Sequence, residues 1–362
     1  MQLKRIFAFC ALFCAAVLFA APTVQNALLP NAEIVLAGDK AFSKSPFVKD
    51  LSKTILAQFE ALCEGNDALL QALKDIQQNQ DVATDVVFSA AFSGAFKGGA
   101  EDVDTSKIEF IYGVQAEKSF KADVQKRLDA EVAKADSDTL IKKATYKEGW
   151  LAYELASKKE PEFKILLVVS PDGTQLFTGT VATVKRQLDN PPALAPYVAQ
   201  YYNTDRTKGS AVAFALLLSE PLQKLIQSNF GGESAEDPSA AMVLSLVSSL
   251  RVFEYAFVAK ADSMDMRIDG NFSAPEMAGM LKPMIDQFLP QVTQMVPIML
   301  GKELPFAKTI KSYNNGSHTG ISANFVKEDF DALIAFFKEQ AATYQQTLED
   351  AENALDEADE EE

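Results

Sequence analysis

The chain has 362 residues, 48% of them hydrophobic, and a formal net charge of -16 at pH 7. This composition is ample for a folded core and excludes a wholly disordered chain, while the acidic charge disfavours nucleic acid as a partner, because nucleic-acid binding requires a basic patch. One histidine and three cysteines leave little material for a His-based catalytic site, a zinc site or a disulfide framework.

The N-terminus has the pattern of a secretory signal peptide. Lys4 and Arg5 precede an uncharged, mainly apolar run that ends at Ala21, and this run is too short to span a membrane. We therefore predict a signal peptide over residues 1–21 and an exported protein, periplasmic or extracellular. Small residues leave the cleavage point anywhere between residues 20 and 37.

Removal of the signal changes the charge and the cysteine count. Loss of Lys4 and Arg5 takes the net charge from -16 to -18, and loss of Cys10 and Cys14 leaves Cys63 as the only thiol. No internal disulfide is predicted, and Cys63 is interpreted as a core residue of the first helix. No later segment has the roughly 20 apolar residues of a membrane span, so none is predicted in the mature chain.

The first half of the chain alternates helical and strand-like segments. Its clearest signals are an amphipathic spacing after Ser45-Pro46 and a turn at Pro171-Asp172-Gly173. The predicted helices are 47–62, 67–78, 117–135 and 181–188, and the predicted strands are 84–97, 107–116, 140–146, 150–156, 163–169 and 175–179.

The second half follows a similar order of elements. Ser273 and Glu276 have the spacing of a capping box, and Asn315-Gly316 has the sequence of a hairpin turn. The predicted strands are 210–218, 251–260, 264–272, 309–313 and 319–325, and the predicted helices are 220–229, 239–250, 275–300 and 328–348, followed by an acidic tail over 349–362.

These elements predict an α+β fold with two similar halves. The halves cover residues 42–192 and 193–348, with the boundary at Asn190-Pro191-Pro192, and each has a mostly antiparallel sheet covered by helices. The order strand, helix, strand, tight turn, strand recurs at 108–156 and 264–325, which suggests an internal repeat.

The sequence offers few residues for catalysis. His318 lies beside a hairpin turn and is interpreted as an exposed loop histidine, and the adjacent Ser317 points to the other face of the strand. A group of carboxylates is interpreted as a solvated face; it comprises Glu254, Asp262, Asp265 and Asp269. No catalytic residue, metal site or cofactor is predicted.

The most unusual segment is 276–305, which is rich in methionine and proline. Pro283, Pro290 and Pro297 recur every seven residues, close to two helical turns, so they lie on one helix face. One interpretation is a bent helix whose methionines are buried against the sheet, and this is the favoured one. The alternative is an apolar groove for a lipid or a partner helix, with four methionines as ligand contacts: Met280, Met284, Met295 and Met299.

One segment carries a family resemblance. Residues 170–189 read SPDGTQLFTGTVATVKRQLD, and a proline-rich link follows to Tyr202. A strand written Asp-Gly-x-x-Leu-x-x-Gly before a helix ending in Lys-x-x-Leu-Asp resembles bacterial exported proteins of unknown function. The resemblance implies an envelope or extracellular location and a fold of repeated strand and helix units, and it implies no activity.

Three functions are therefore open. The leading hypothesis is a non-enzymatic exported protein that binds or scaffolds another, unknown envelope protein. The alternative is a carrier of an apolar ligand or lipid that uses segment 276–305. A carboxylate-dependent hydrolase is the least favoured, because the carboxylates lack neighbouring aromatic residues for sugar stacking.

Overall fold

The computed structural model describes residues 25–62, 84–96, 104–132, 139–159, 161–209, 211–230, 238–301, 303–336 and 338–339. Four sequence predictions lie outside these residues, namely the signal peptide, the three cysteines, the 67–78 helix and the acidic tail.

The strands of the described residues number twelve and form one antiparallel sheet in the order β11-β12-β10-β9-β8-β1-β2-β3-β7-β6-β5-β4. Their bounds are β1 Ile34–Gly38, β2 Thr84–Ala91, β3 Glu109–Ala116, β4 Thr139–Lys143, β5 Leu151–Ser157, β6 Lys164–Val169, β7 Gln175–Thr180, β8 Ala211–Leu217, β9 Leu250–Ala259, β10 Met264–Phe272, β11 Lys311–Asn315 and β12 His318–Phe325.

The described helices connect these strands. They are α1 Lys40–Lys44, α2 Pro46–Leu62, α3 Lys121–Val132, α4 Val181–Asp189, α5 Pro196–Gln200, α6 Glu220–Phe230, α7 Pro238–Ser249, α8 Pro275–Leu300 and α9 over residues 327–336. The mixed helix and strand content and the large antiparallel sheet confirm the predicted fold class in its general form.

Strand β1 lies at the centre of the sheet. It pairs antiparallel with β2 and with β8, so that Leu36 lies opposite both Phe88 and Phe214. No strand was predicted here, and residues 35–37 were the latest option for signal cleavage. Cleavage at that point would cut through the central strand, and Ala27, Leu28 and Leu29 before it are buried in the core, so we expect any cleavage to fall before Ala27.

Side chains alternate between the two faces of the sheet. We call the face that carries Val35 the front face and the face that carries Leu36 the back face. The front core contains Val35, Ala215 and Ile111, which pack with Val184 of α4 and Val198 of α5. Burial of these apolar side chains stabilises the fold by roughly 1.5–3 kcal/mol for each large residue.

The back face is covered in part by helices. Phe47 and Val48 of α2 pack on Val212 and Met264 of the sheet. A second back-face cluster joins Phe306, Phe325 and Ala323, with Phe330 of α9 packed against it. Phe214 and Phe253, which register places on the same back face, remain 40% and 42% exposed.

The sheet runs unbroken across the predicted boundary at 192/193. Strands β2–β7 lie on one side of β1 and strands β8–β12 on the other. In the second half β12 pairs directly with β10, whereas in the first half β7 and β6 lie between β3 and β5. The two halves therefore share an order of elements but pair their strands differently. The division into two similar halves stays a prediction.

Candidate functional site

Strand register gathers polar side chains on the front face near β9, β10 and β12. Glu254 lies directly opposite Asp269, and Asn271, two residues further along β10, lies opposite His318. A π-helical turn, Tyr201–Asp205, adds Tyr201 and Asp205. We call these six residues the Glu254 cluster.

Glu254 is buried, and both of its carboxylate oxygens accept hydrogen bonds. Tyr201 donates to Oε2 at 2.5 Å and Thr207 donates to Oε1 at 3.1 Å. Burial raises the pKa of Glu254, because a charged carboxylate loses its hydration there, although both hydrogen bonds oppose this effect. Burial, together with the Glu254 carboxylate, also holds the pKa of Tyr201 well above its usual range.

The remaining members form two further pairs. His318 Nδ1 lies 2.9 Å from Asp269 Oδ2, and this hydrogen bond raises the pKa of His318. Asn271 donates to Asp205 at 2.9 Å. His318 is the first residue of β12 and is half-buried, so its interpretation as an exposed loop histidine is wrong. Register across β10 and β12 explains the difference, since it directs the ring toward Asp269.

The cluster encloses very little space. The cavity that its residues line with Val252 has a volume of about 10 Å³, which is about the room that one water molecule needs. Asp269 Oδ1 is buried without a hydrogen-bond partner in the described part of the chain. The arrangement can hold a water molecule between paired polar groups, and it has no room for a substrate.

The interpretation of the four carboxylates as one solvated face is wrong for Glu254, which is only 6% exposed, and the four do not lie together. Asp265 lies near the far end of β10, where it bonds Lys260 at 2.8 Å and Asn324 at 2.9 Å. Asp262 is exposed in the turn between β9 and β10. Only Glu254 and Asp269 are neighbours. Among the described residues, no group of three or more His, Cys, Asp or Glu side chains is placed to hold a metal ion.

Helix α8 lies at the same end of the sheet, on the back face, and carries the predicted methionines. It contacts β10, β11 and β12, and Asp286 accepts a hydrogen bond from Ser312 on the back face. The three interior prolines are accommodated within one helix, Pro275–Leu300. The predicted capping box is absent, because Ala274 is the N-cap and the Ser273 backbone amide donates to Ser249 instead.

The outer side of α8 is apolar and open. Met280 is 56% exposed, Phe288 55%, Met295 55% and Ile298 79%. Their spacing of eight, seven and three residues puts them on one side of the helix, and we call these four residues the outer stripe. The favoured interpretation, in which the methionines are buried, is therefore wrong for Met280 and Met295.

The other predicted contact residues are placed differently. Met284 lies on the same side of α8 and is half-buried. Met299 belongs to α8, but its side chain lies outside the described side chains. Ala278 is fully buried on the opposite side of the helix. Because α8 is apolar on both sides, packing one side against the sheet leaves the other uncovered.

The outer stripe also lacks charge. Lys282 and Asp286 pair with each other at 2.6 Å, and no charged residue follows between Gln287 and Gly301. No helix among the described residues is long and apolar enough to cross a membrane.

The fold and its surface define an α+β protein with one broad antiparallel sheet and an open apolar helix. No family model matches the sequence, and no curated protein matches it. Among solved structures, crystal form III of TP0453 is similar with a TM-score of 0.41 and 10% identity, over 87% of this chain and 98% of that one. Crystal form I of TP0453 gives a TM-score of 0.38 and 12% identity, over 88% and 98%.

Proposed function

We propose that this protein is an exported, non-enzymatic binding protein that docks the outer stripe of α8 onto an apolar, weakly charged surface of another envelope protein. The observation that carries this proposal is the exposure of Met280, Phe288, Met295 and Ile298 on one side of a single helix. Large apolar patches on the surface of a folded protein commonly mark interaction sites.

The size of the outer stripe supports a contact with a protein. At the exposures given, four such side chains leave roughly 400–500 Å² of apolar surface open, which compares with the largest patch on a typical monomer. A standard interface buries about 800 Å² on each partner. The stripe would supply the apolar part of such an interface, and the exposed side chains of Gln287, Gln291 and Gln294 on the same side of the helix would supply hydrogen bonds.

Charge favours a protein partner over a lipid surface. A helix that binds at a membrane surface generally carries Lys or Arg along its polar face to attract anionic lipids. The only basic residue of α8 is Lys282, which is paired with Asp286, and the whole chain has a net charge of -16. Such a body is repelled by anionic headgroups, whereas an uncharged stripe accepts an uncharged protein surface.

Methionine suits this role because its side chain is unbranched and polarisable, so it adapts to an irregular partner surface. The outer side of a helix is convex, which favours contact with another surface over enclosure of a small ligand. The apolar-ligand carrier is therefore the second candidate. Export is inferred from the N-terminal sequence pattern. The hydrolase hypothesis is weakened because the cavity at the Glu254 cluster has room for about one water molecule.

Site-specific photo-crosslinking in the native host tests the proposal. A crosslinker replacing Ile298 of the full chain should join one discrete protein, and a crosslinker replacing exposed Lys126 of α3 should not. The double variant Phe288→Gln, Met295→Gln should abolish the Ile298 product, and the purified partner should bind the wild type more tightly than this variant.

Two outcomes would contradict the proposal. One is a set of products that is the same for Ile298 and Lys126 and unchanged in the double variant. The other is crosslinking to lipid without protein, which would favour the carrier.

A further inference from the structure

Asp85 is a buried carboxyl near the start of β2. It is 5% exposed, and its Oδ1 atom has no hydrogen-bond partner in the described part of the chain. Strand register places Asp85 opposite Gln115 of β3, and Asp39 follows β1 on the other side. A charged carboxylate in this position loses its hydration, and Oδ1 gains no hydrogen bond in return, so the closed fold favours the protonated form.

Charged groups of both signs surround Asp85. Burial has the largest effect and raises the pKa of Asp85 from 3.8 to about 7. Lys40 and Lys44 of α1 favour its ionisation, whereas the carboxylates of Asp39 and Glu117 oppose it. Both lysines also pair with Glu117, at 3.6 and 2.6 Å, so their charge is shared with another carboxylate.

The π-helical turn Tyr201–Asp205 lies near Asp85 on the front face. Burial raises the pKa of Tyr202, and the nearby carboxylates of Asp85 and Asp39 add to this rise, although Arg206 opposes it. The Arg206 guanidinium lies over the Tyr202 ring, 4.7 Å from its centroid. Among the described residues, neither the Tyr202 hydroxyl nor Arg206 Nε has a hydrogen-bond partner, and both atoms are buried. The closed turn therefore keeps three unpaired polar groups from water, an arrangement that calls for a physical explanation.

We propose that the turn Tyr201–Asp205 is a proton-operated latch, closed while Asp85 is protonated and opened when Asp85 gives its proton to water. Opening hydrates the carboxylate and so removes the cost of a buried charge. Gly209, just beyond the turn, has a φ of 73° and no atom within 4 Å of the position of a Cβ. Its amide is anchored to Asp39 at 2.9 Å, so Gly209 can serve as the fixed hinge of the moving turn.

Opening of the latch also uncovers the Glu254 cluster. Tyr201 of the same turn donates to Glu254, and Asp205 accepts from Asn271. An open turn therefore exposes the carboxylates of both Asp85 and Glu254 on the front face. The latch is independent of the outer stripe, which belongs to α8 on the back face.

The opening equilibrium has a characteristic dependence on pH. In the closed turn the pKa of Asp85 is about 7, and in the open turn it returns toward 3.8. The stability of the closed turn is therefore fully present below pH 3.8 and is lost as the pH rises through 7. The equilibrium constant for opening should rise about tenfold per pH unit from about pH 5 to about pH 7, and it should level off at higher pH.

Hydrogen exchange of the full chain, followed by mass spectrometry, tests the latch. After correction for the intrinsic pH dependence of exchange, the amides of residues 201–209 should open about 100-fold more often at pH 7 than at pH 5. Asp85→Asn keeps the shape of the side chain and removes its titration, so this rise should disappear. Asp123→Asn is the matched control, because Asp123 is an exposed carboxylate on α3, and it should keep the wild-type rise.

Exchange in β6 separates local opening from unfolding of the whole protein. Val168 of β6 is fully buried, and its peptide should exchange more slowly than residues 201–209 at each pH. The proposal is overturned if the wild type shows no rise between pH 5 and pH 7, if Asp85→Asn shows the same rise, or if residues 201–209 open no more often than β6. Circular dichroism should show that both variants fold; if Asp85→Asn does not, the wild-type rise and the comparison with β6 still decide.

Discussion

Glu33 is a buried carboxylate whose replacement should destabilise the fold strongly. It is 1% exposed and lies just before β1. Its Oε2 accepts from the backbone amides of Phe92 and Ser93 at 2.8 and 2.7 Å, and its Oε1 accepts from the Ser219 hydroxyl at 2.5 Å. One side chain therefore joins the chain after β2 to the chain after β8, across the central strand.

Two substitutions separate the loss of the acceptor from the loss of its charge. Glu33→Ala leaves one buried donor, the Ser219 hydroxyl, and two part-buried backbone amides without this partner at about 1–3 kcal/mol each, and partial rescue by water gives a net loss of about 3–6 kcal/mol. Glu33→Gln keeps a carbonyl for the two amides and places its NH2 group against the Ser219 hydroxyl. It should lose only the charge assistance, about 1–2 kcal/mol.

Urea denaturation followed by circular dichroism measures both losses as shifts of the midpoint at constant slope. The expected order of stability is wild type, then Glu33→Gln, then Glu33→Ala. A Glu33→Ala variant within about 1 kcal/mol of wild type would refute the reasoning, because these three donors would then have other acceptors.

Three further predictions concern ionisation and the N-terminus. Burial raises the pKa of Asp85 from 3.8 to about 7, so the folded protein favours the protonated carboxyl. The stability that this gives is fully present below pH 3.8 and is lost as the pH rises through 7. Asp85→Asn should therefore be more stable than wild type at pH 8, by at most about 4 kcal/mol, with the gain vanishing in urea titrations near pH 4. Pairing with Asp269 raises the pKa of His318, so its contribution is present below pH 6.5 and lost at higher pH; His318→Ala should lose about 1 kcal/mol at pH 5 and less at pH 9. Intact mass of the protein from its native host should place its N-terminus before the buried Ala27, and a chain starting at Gly38 should fail to give a cooperative melt, since it lacks four of the five residues of β1.

Local signals in the sequence predicted local structure well. The turn Pro171-Asp172-Gly173 joins β6 to β7 with Gly173 at a φ of 75°, and Gly316 turns β11 into β12 at a φ of 62°. A positive φ favours glycine, so the turn residues determine these hairpins without help from the rest of the fold.

The pairing of strands that are distant in the chain could not be predicted from the sequence. β1 is a five-residue apolar run, IVLAG, without the alternation that identifies a half-buried strand, and its place in the sheet depends on partners about 50 and 180 residues away. The pairing of His318 with Asp269 depends on the register of β12 against β10 in the same way. Neither is fixed by neighbouring residues.

The burial expected along α8 failed for a different reason. A stripe of methionine and phenylalanine at helical spacing is ordinarily core, and the inner side of the helix does follow that rule at Ala278. An apolar outer side is unfavourable in an isolated monomer, so the helical spacing of these residues predicts that they are buried. The exposed stripe is where a local rule and the observed packing disagree, and such disagreements tend to mark function.

Methionine footprinting with peroxide tests the proposed docking of the outer stripe most directly. Met280 and Met295 are more than half exposed and Met264 is 5% exposed, so in the purified monomer the first two should form sulfoxide much faster than Met264. In the envelope of the native host, before purification, docking should slow oxidation of Met280 and Met295 toward the rate of Met264. Equal oxidation of Met280 and Met295 in the host envelope and in the purified protein would contradict the account.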